Sequence, residues 1–158
     1  MFSELLIALS VVAICVVIHT AGLVLFAEFL IDRNSKPERI ATMRREAVVL
    51  IMVFAVVITL HLVEAGLWAT FYYLRGLFPN FETAFYFSLV TYGTIGFGDV
   101  VLPQRWRVLS GIEGISGVLL CGLSAAFIFA VINALFQRRM QTRSTPVKTY
   151  SSSEAAMD

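Results

Sequence analysis

Charged residues are scarce in this chain of 158 residues. Only 15% are Asp, Glu, Lys or Arg, whereas soluble domains carry about 25%. Hydrophobic residues make up 58%, and the mean hydropathy is +0.81. The composition argues against a water-soluble domain and excludes a disordered chain, which needs low hydrophobicity and high net charge. The net charge of +1 gives no support for nucleic-acid binding, which leaves a basic footprint.

Two further scarcities narrow the interpretation. The only cysteines, Cys15 and Cys121, lie in apolar runs, where they are typical of small buried hydrophobic residues and indicate no redox compartment. No apolar run carries arginine at every third position, which argues against an intrinsic voltage sensor. Regulation is therefore expected to come from the membrane helices themselves, from lipid, from pH or from a partner.

Three long apolar runs organise the chain: Leu5 to Ile31, Ala47 to about Leu77, and Val108 to about Phe136. A spanning helix needs about 20 mostly apolar residues, and no run alternates with the period of two of a barrel strand. A signal peptide is the alternative for the first run, but its start lacks basic residues and its apolar stretch is too long. The sequence predicts an all-α membrane protein with three transmembrane helices.

Basic residues predict the orientation in the membrane. One group lies between the first two runs and a second group follows the third run: Arg33, Lys36, Arg39, Arg44 and Arg45, then Arg138, Arg139, Arg143 and Lys148. Positive charge beside membrane segments marks the cytoplasmic side. We therefore expect an outside N-terminus, a basic cytoplasmic loop over 32–46 and a disordered cytoplasmic tail over 137–158. The expected location is a cell membrane, with the bacterial inner membrane favoured.

A fourth apolar piece, residues 81–91, lies in the outer connection. Eleven helical residues reach only about 16 Å, too short for a core of about 30 Å. Pro79 and Asn80 mark its start, and Glu82 suits the positive end of a helix. The pattern predicts a re-entrant half-helix. Because irregular backbone at membrane depth must be surrounded by protein or by a water-filled cavity, the residues that follow are expected to line a pore or pocket.

The next residues are Thr94-Ile95-Gly96-Phe97-Gly98-Asp99. Their glycines can adopt positive φ, so this strand can alternate between left- and right-handed conformations and align its carbonyl oxygens. Aligned carbonyls can replace the hydration shell of a monovalent cation. The alternatives are a nucleotide loop or a plain turn, but the glycines are not spaced as G-x-G-x-x-G and no βαβ unit surrounds them.

This segment resembles the selectivity filter of potassium channels, whose signature is Thr-Val-Gly-Tyr-Gly-Asp. Two positions depart from the family pattern: Gly93 stands where a second threonine is common, and Tyr86 and Phe87 stand where paired tryptophans occur. The resemblance covers about residues 47–136, and residues 1–31 form an additional transmembrane helix outside it. It implies an outer helix at 47–77, a pore helix at 81–91, a filter at 94–98 and an inner helix at 107–136.

The resemblance implies a potassium-selective channel that conducts K⁺ passively and is not an enzyme. It implies a homotetramer, in which each chain joins three identical subunits in membrane lipid, with no organic cofactor. The alternatives are a weakly selective cation channel and a non-conducting, pore-like membrane subunit. The implied ion-binding residues are Thr94, Ile95, Gly96, Phe97 and Gly98. The implied supports of the filter are Asp99, Thr91 and Glu113. The implied cavity or gate residues are Gly117, Val118, Cys121, Ala125 and Phe129.

Intramembrane ionisable residues are costly and mark a second candidate site. His19 and His61 lie near the middles of the first two runs, and Glu64 shares a helix face with His61. The three are expected to meet as a polar cluster. Its alternatives are a sensor of protons or divalent ions and a polar pin that holds the first helix to the pore unit, with the pin favoured.

Overall fold

The computed structural model describes residues 2–34 and 43–144, and within these residues it contains helices and no strand. The prediction of an all-α protein is confirmed. Residues 35–42 of the expected basic loop and 145–158 of the expected tail lie outside the described residues. The elements are α1 (Phe2–Asn34), α2 (Met43–Leu74), α3 (Phe81–Tyr92), a 3₁₀ turn (Gln104–Trp106) and α4 (Arg107–Ser144).

Three of the helices are long and apolar enough to cross a membrane. The candidate spans are Glu4–Asp32, Met43–Leu74 and Gln104–Gln141, as the three apolar runs predict. Helix α3 has 12 residues and a length of about 18 Å, so it cannot span.

Several helix boundaries differ from the sequence-based ones. Helix α1 continues to Asn34 and α2 begins at Met43, so residues 32–34 and 43–46 of the expected loop are helical. Helix α2 stops at Leu74 instead of 77, because Gly76 has a φ of +66° and lets the N–H of Leu77 bond back to the carbonyl oxygen of Tyr72. This arrangement closes a helix end around a left-handed glycine. Helix α4 continues through Ser144, so the predicted end at 136 and the predicted tail over 137–144 are wrong.

Helix α3 begins and ends where its sequence provides caps. The Asn80 side chain accepts a hydrogen bond from the Thr83 backbone N–H at 2.8 Å, which satisfies one free donor of the first turn. At the other end, the N–H of Gly93 bonds to the carbonyl oxygen of Leu89 at 3.0 Å. The half-helix is thus fixed in length, and its carbonyl end leads directly into residue 94.

The helices pack around two apolar cores. The larger core is aromatic and joins α2 to α3: the Tyr72 ring lies 5.4 Å from Phe87 and 5.8 Å from Trp68, between ring centroids. A smaller core surrounds Leu30 and Val53 and draws in side chains from the second half of α4. Helix α1 therefore packs along both α2 and α4.

Two ion pairs report which helix ends are neighbours. Glu4 at the start of α1 binds Arg105 just before α4, whereas Glu46 at the start of α2 lies 3.3 Å from Arg139 near the end of α4. Helices α1 and α4 therefore run in the same direction, and α2 runs against them. The basic residues at the start of α2 and those at the end of α4 consequently lie at the same end of the bundle.

Candidate functional site

The backbone of residues 94–98 alternates in handedness. Thr94, Gly96 and Gly98 have φ values of +57°, +55° and +79°, and Ile95 and Phe97 between them do not have positive φ. Thr94 is the only non-glycine residue with positive φ among the described residues. Since left-handed φ costs a side-chain-bearing residue roughly 1–2 kcal/mol, the surroundings must hold Thr94 in place.

The carbonyl end of α3 holds the first residues of the 94–98 segment, a single strand that is not part of a β-sheet. The carbonyl oxygen of Val90 accepts hydrogen bonds from the N–H groups of Ile95 and Gly96, at 2.8 and 3.0 Å. The carbonyl oxygen of Thr91 accepts one from the N–H of Thr94 at 2.9 Å. Because a helix C-terminus carries partial negative charge, the base of the strand lies in a field that favours a cation.

A side-chain bond ties the other end of the strand to α3. The Tyr86 hydroxyl donates a hydrogen bond to Asp99 Oδ2 at 2.7 Å. This bond lowers the pKa of Asp99 below its ordinary 3.8 and raises the pKa of Tyr86 above its ordinary 10.0. Tyr86, one of the two residues that depart from the family pattern, thus supplies a hydrogen-bond donor to Asp99.

Glu113 contacts α3 from behind. This carboxylate is fully buried in α4 and accepts hydrogen bonds from the Ser88 hydroxyl of α3 and, at 2.7 Å, from the Tyr72 hydroxyl of α2. A buried carboxylate is tolerated where hydrogen bonds compensate its lost hydration. Glu113 therefore joins three helices at Ser88, six residues before the alternating segment begins at Thr94.

The residues expected to form a cavity do not all share one environment. Val118, Cys121, Ala125 and Phe129 are exposed in the single chain, as one face of α4 requires. Gly117 is buried instead: a Cβ built on it would lie 2.2 Å from the carbonyl oxygen of Tyr92. The structure therefore places Gly117 at a close contact and not on the cavity face, because α4 needs a glycine there to approach the end of α3. The role of a hinge glycine in the inner helix, which the resemblance to potassium channels implies for Gly117, stays a prediction.

The structure brings His19, His61 and Glu64 together. His19 Nδ1 lies 2.8 Å from Glu64 Oε1, and His61 Nδ1 lies 3.3 Å from Glu64 Oε2. Two further hydroxyls, which sequence reasoning missed, complete the group. Tyr92 donates to Glu64 Oε2, and Ser124 Oγ lies 3.0 Å from Nε2 of each histidine. Neither hydroxyl carries a sequence signal, since their approach depends on how α3 and α4 cross α2.

Comparison with known families shows what the chain is similar to. A family model described as an ion channel matches residues 46–134, which is more than half of the chain. The match includes nearly all of α2, all of α3 and most of α4, and it excludes α1. No match was found among curated proteins or among solved structures.

Proposed function

The chain belongs to the ion channel family, and we propose that it is a potassium-selective channel in which four identical chains surround one conduction path. The observation that carries this proposal is the alternating backbone of residues 94–98. A strand that alternates between left- and right-handed conformations turns successive carbonyl oxygens toward one side, unlike a β-strand. Such a row can take the place of water around a partly dehydrated K⁺ ion.

In this proposal the ion ligands are main-chain carbonyls. Thr94, Ile95, Gly96 and Phe97 each contribute one oxygen, and the Thr94 hydroxyl adds a ligand at the inner end. Gly98 frames the outer mouth, and Asp99 braces the strand through its bond with Tyr86. Selectivity then depends on how firmly α3 holds the carbonyls, which Val90 supports through its two hydrogen bonds.

Exposed apolar side chains support assembly around an axis. In the single chain Ile95 is 58% exposed and Phe97 is 68% exposed, although both lie in the strand that must be rigid. The adjacent face of α4 exposes Ile115 and Leu119 to a similar degree. Neighbouring copies that pack against these side chains would cover them. Because each chain has one such segment, four copies are needed to complete a fourfold ring of carbonyl oxygens.

The same-end placement of the basic residues supports a cytoplasmic C-terminus. In the proposed orientation, α3 enters from the outer side, and the end of α4 that bears Arg139 lies inside. Val118, Cys121, Ala125 and Phe129 then face the inner cavity. Four Phe129 rings, each 65% exposed in the single chain, would form an apolar constriction that closes by dewetting.

The test is K⁺ flux through the purified protein in liposomes. With a K⁺ gradient and a protonophore, a pH dye reports proton entry that balances K⁺ exit. We expect flux from the wild type and none from Gly96→Ala or Gly98→Ala, because alanine disfavours the positive φ that aligns the carbonyls. Wild-type protein that reconstitutes as a tetramer without any flux would support a non-conducting subunit and refute the proposal.

Gly76→Ala is the matched control. Gly76 also has positive φ, +66°, with open space around it, but it lies in the loop after α2. Its alanine variant carries the same kind of backbone strain and should keep its flux per reconstituted channel. Replacing K⁺ by Na⁺ in the same assay tests selectivity: comparable Na⁺ flux would assign a weakly selective cation channel.

A further inference from the structure

One polar cluster joins all four helices, and the ion-conduction proposal does not use it. We define the four-helix polar cluster as five side chains, two of them from α2: His19, His61, Glu64, Tyr92 and Ser124. His19 and Glu64 are fully buried, and the His61 side chain is 19% exposed. A carboxylate and two imidazoles so enclosed must be satisfied by one another or by a bound ion.

Hydrogen counting shows what the cluster is short of. Each Nδ1 faces acceptor oxygens: that of His19 faces Glu64, and that of His61 faces Glu64 and the Tyr92 hydroxyl, which is 3.0 Å away. With both ring protons on Nδ1, both Nε2 atoms are acceptors. Both point at Ser124 Oγ, which has one proton to donate. With two neutral rings, one Nε2 therefore lacks a proper donor, apart from the weak Cys121 thiol 3.9 Å from His61. Either a further ring proton or a cation on the Nδ1 side supplies what this neutral state lacks.

A cation on the Nδ1 side removes this shortage. If a metal ion occupies both Nδ1 positions, each ring proton moves to Nε2, and Ser124 Oγ accepts from both rings with its two lone pairs. Tyr92 continues to donate to the carboxylate. Metal-bound histidines almost always donate their other N–H in this way to a fixed acceptor. We propose that His19, His61 and Glu64 bind one divalent transition-metal ion of the Zn²⁺ class.

The distances and ligand types fit such an ion. One ligand atom from each of the three residues lies within 4.8 Å of the others. Tetrahedral Zn²⁺ with bonds of about 2.0–2.1 Å places ligand atoms about 3.3 Å apart. The two histidines face different oxygens of the carboxylate: His61 Nδ1 lies 3.3 Å from Glu64 Oε2, and His19 Nδ1 lies 2.8 Å from Glu64 Oε1. A carboxylate that binds the ion through both oxygens keeps this arrangement, and the shorter separation must open by about half an ångström. Two imidazoles and a carboxylate are a common zinc donor set.

The metal would fasten α1 to the rest of the chain. His19 is the ligand from α1, and the other two come from α2. One turn later, Gly22 lets α1 approach α2 closely, since a Cβ there would meet a methyl carbon of Leu60 at 2.6 Å. Through Tyr92 and Ser124 the site also reaches the end of α3 and the middle of α4. This inference does not rest on the proposed potassium conduction.

The experiment measures metal content in the full chain, purified with a tag that contains no histidine. After equilibration with Zn²⁺ and gel filtration, elemental analysis should find one Zn²⁺ per chain. His19→Gln and Glu64→Gln should each weaken Zn²⁺ at least 100-fold in competition with a chelator dye. Ser124→Ala should weaken it about 10–100-fold, the usual effect of losing an outer hydrogen bond to a ligand.

Two controls keep the result decisive. Cys121→Ser removes the thiol that lies 3.9 Å from His61 Nε2 and should leave Zn²⁺ affinity unchanged. Co²⁺ in the wild type should give the visible bands of a tetrahedral nitrogen–oxygen site, a readout that does not require any variant to fold. Wild-type protein that holds no more Zn²⁺ than His19→Gln overturns the proposal and leaves a hydrogen-bonded pin. Loss of Zn²⁺ in Cys121→Ser, or a sulfur-to-cobalt band, overturns it also.

Discussion

Substituting Gly117 by alanine tests whether this glycine is a close contact or a hinge. A Cβ at this position would lie 2.2 Å from the Tyr92 carbonyl oxygen, 3.0 Å from its carbon and 3.2 Å from Tyr92 Cδ1. Two of these atoms are backbone, so no rotamer change relieves the overlap. An acceptable contact to oxygen needs about 1 Å more, and α4 must therefore move away from the end of α3 by that amount.

The energetic consequence has two opposing parts. Overpacking of a tight contact costs about 1–3 kcal/mol, whereas replacing a helical glycine by alanine gains about 0.5–1 kcal/mol. We expect a net destabilisation on the order of 1–2 kcal/mol for Gly117→Ala. The moved carbonyl belongs to the residue two places before Thr94, so the base of the proposed filter shifts as well and K⁺ flux should fall.

The assay compares Gly117→Ala with Gly122→Ala in thermal unfolding and in liposome flux. A Cβ at Gly122 meets nothing within 4 Å, so this variant should match or exceed the wild-type Tm. At about 2–4 °C per kcal/mol, the two variants should differ by several degrees. Equal Tm and equal flux for both variants would refute the close-contact interpretation. Unchanged stability with altered flux in Gly117→Ala alone would favour a hinge.

Three further predictions concern side chains around α3 and α1. Tyr86→Phe should lower K⁺ flux by a factor that stays constant from about pH 5 to pH 9. The bond lowers the pKa of Asp99 below 3.8 and raises the pKa of Tyr86 above 10.0. The wild-type bond is therefore lost only when Asp99 is protonated in acid or Tyr86 is deprotonated in base. Glu113→Gln should lower the free energy of unfolding by about 1–3 kcal/mol, because the glutamine amide has one acceptor oxygen for the two hydroxyls of Tyr72 and Ser88. Gly22→Ala should have a much smaller effect on Tm than Gly117→Ala, since the atoms it meets are the flexible end of Leu60.

Each of these predictions has its own control. A flux ratio for Tyr86→Phe that changes between pH 5 and pH 9 would mean that another group titrates against Asp99. Glu82→Gln removes an exposed carboxylate from the first turn of α3 and should alter Tm little; an equal loss from both glutamine variants would contradict the role of burial. If Gly22→Ala destabilises as much as Gly117→Ala, α1 and α2 pack more rigidly at this crossing than the geometry of Leu60 indicates.

Patterns local in sequence predicted much of the fold. The length of each apolar run predicted the three candidate spans, and Asn80 predicted the start of α3 correctly. The alternation at 94–98 followed from Gly96 and Gly98, although nothing in the sequence indicated that Thr94 also adopts positive φ. That conformation depends on hydrogen bonds to the end of α3, which the residue type does not encode.

Tertiary approach decided what sequence patterns missed. Gly117 has the same helical neighbours in sequence whether it bends a helix or admits a carbonyl, and only the position of Tyr92 distinguishes these roles. Ser124 lies in a stretch of small residues that favours close helix packing, yet it faces two histidines from different helices. The helix α4 also outlasts its apolar run, because charged residues can continue a helix beyond the membrane.

The placement of two buried carboxylates explains why α3 packs at one position along its neighbouring helices, although the bundle is so apolar. Lipid tails are as apolar as leucine, so burial of leucine does not favour one helix pairing over another in a membrane. Glu64 and Glu113 break this degeneracy because each is fully buried and each bonds to a hydroxyl of α3, at Tyr92 and Ser88 respectively. Sliding α3 by one turn, about 5.4 Å, would break both bonds at once. The carbonyl end of α3, and with it the segment that follows, is therefore fixed by two polar contacts one turn apart, one from α4 and one from α2. Glu64 extends that constraint to α1 through His19.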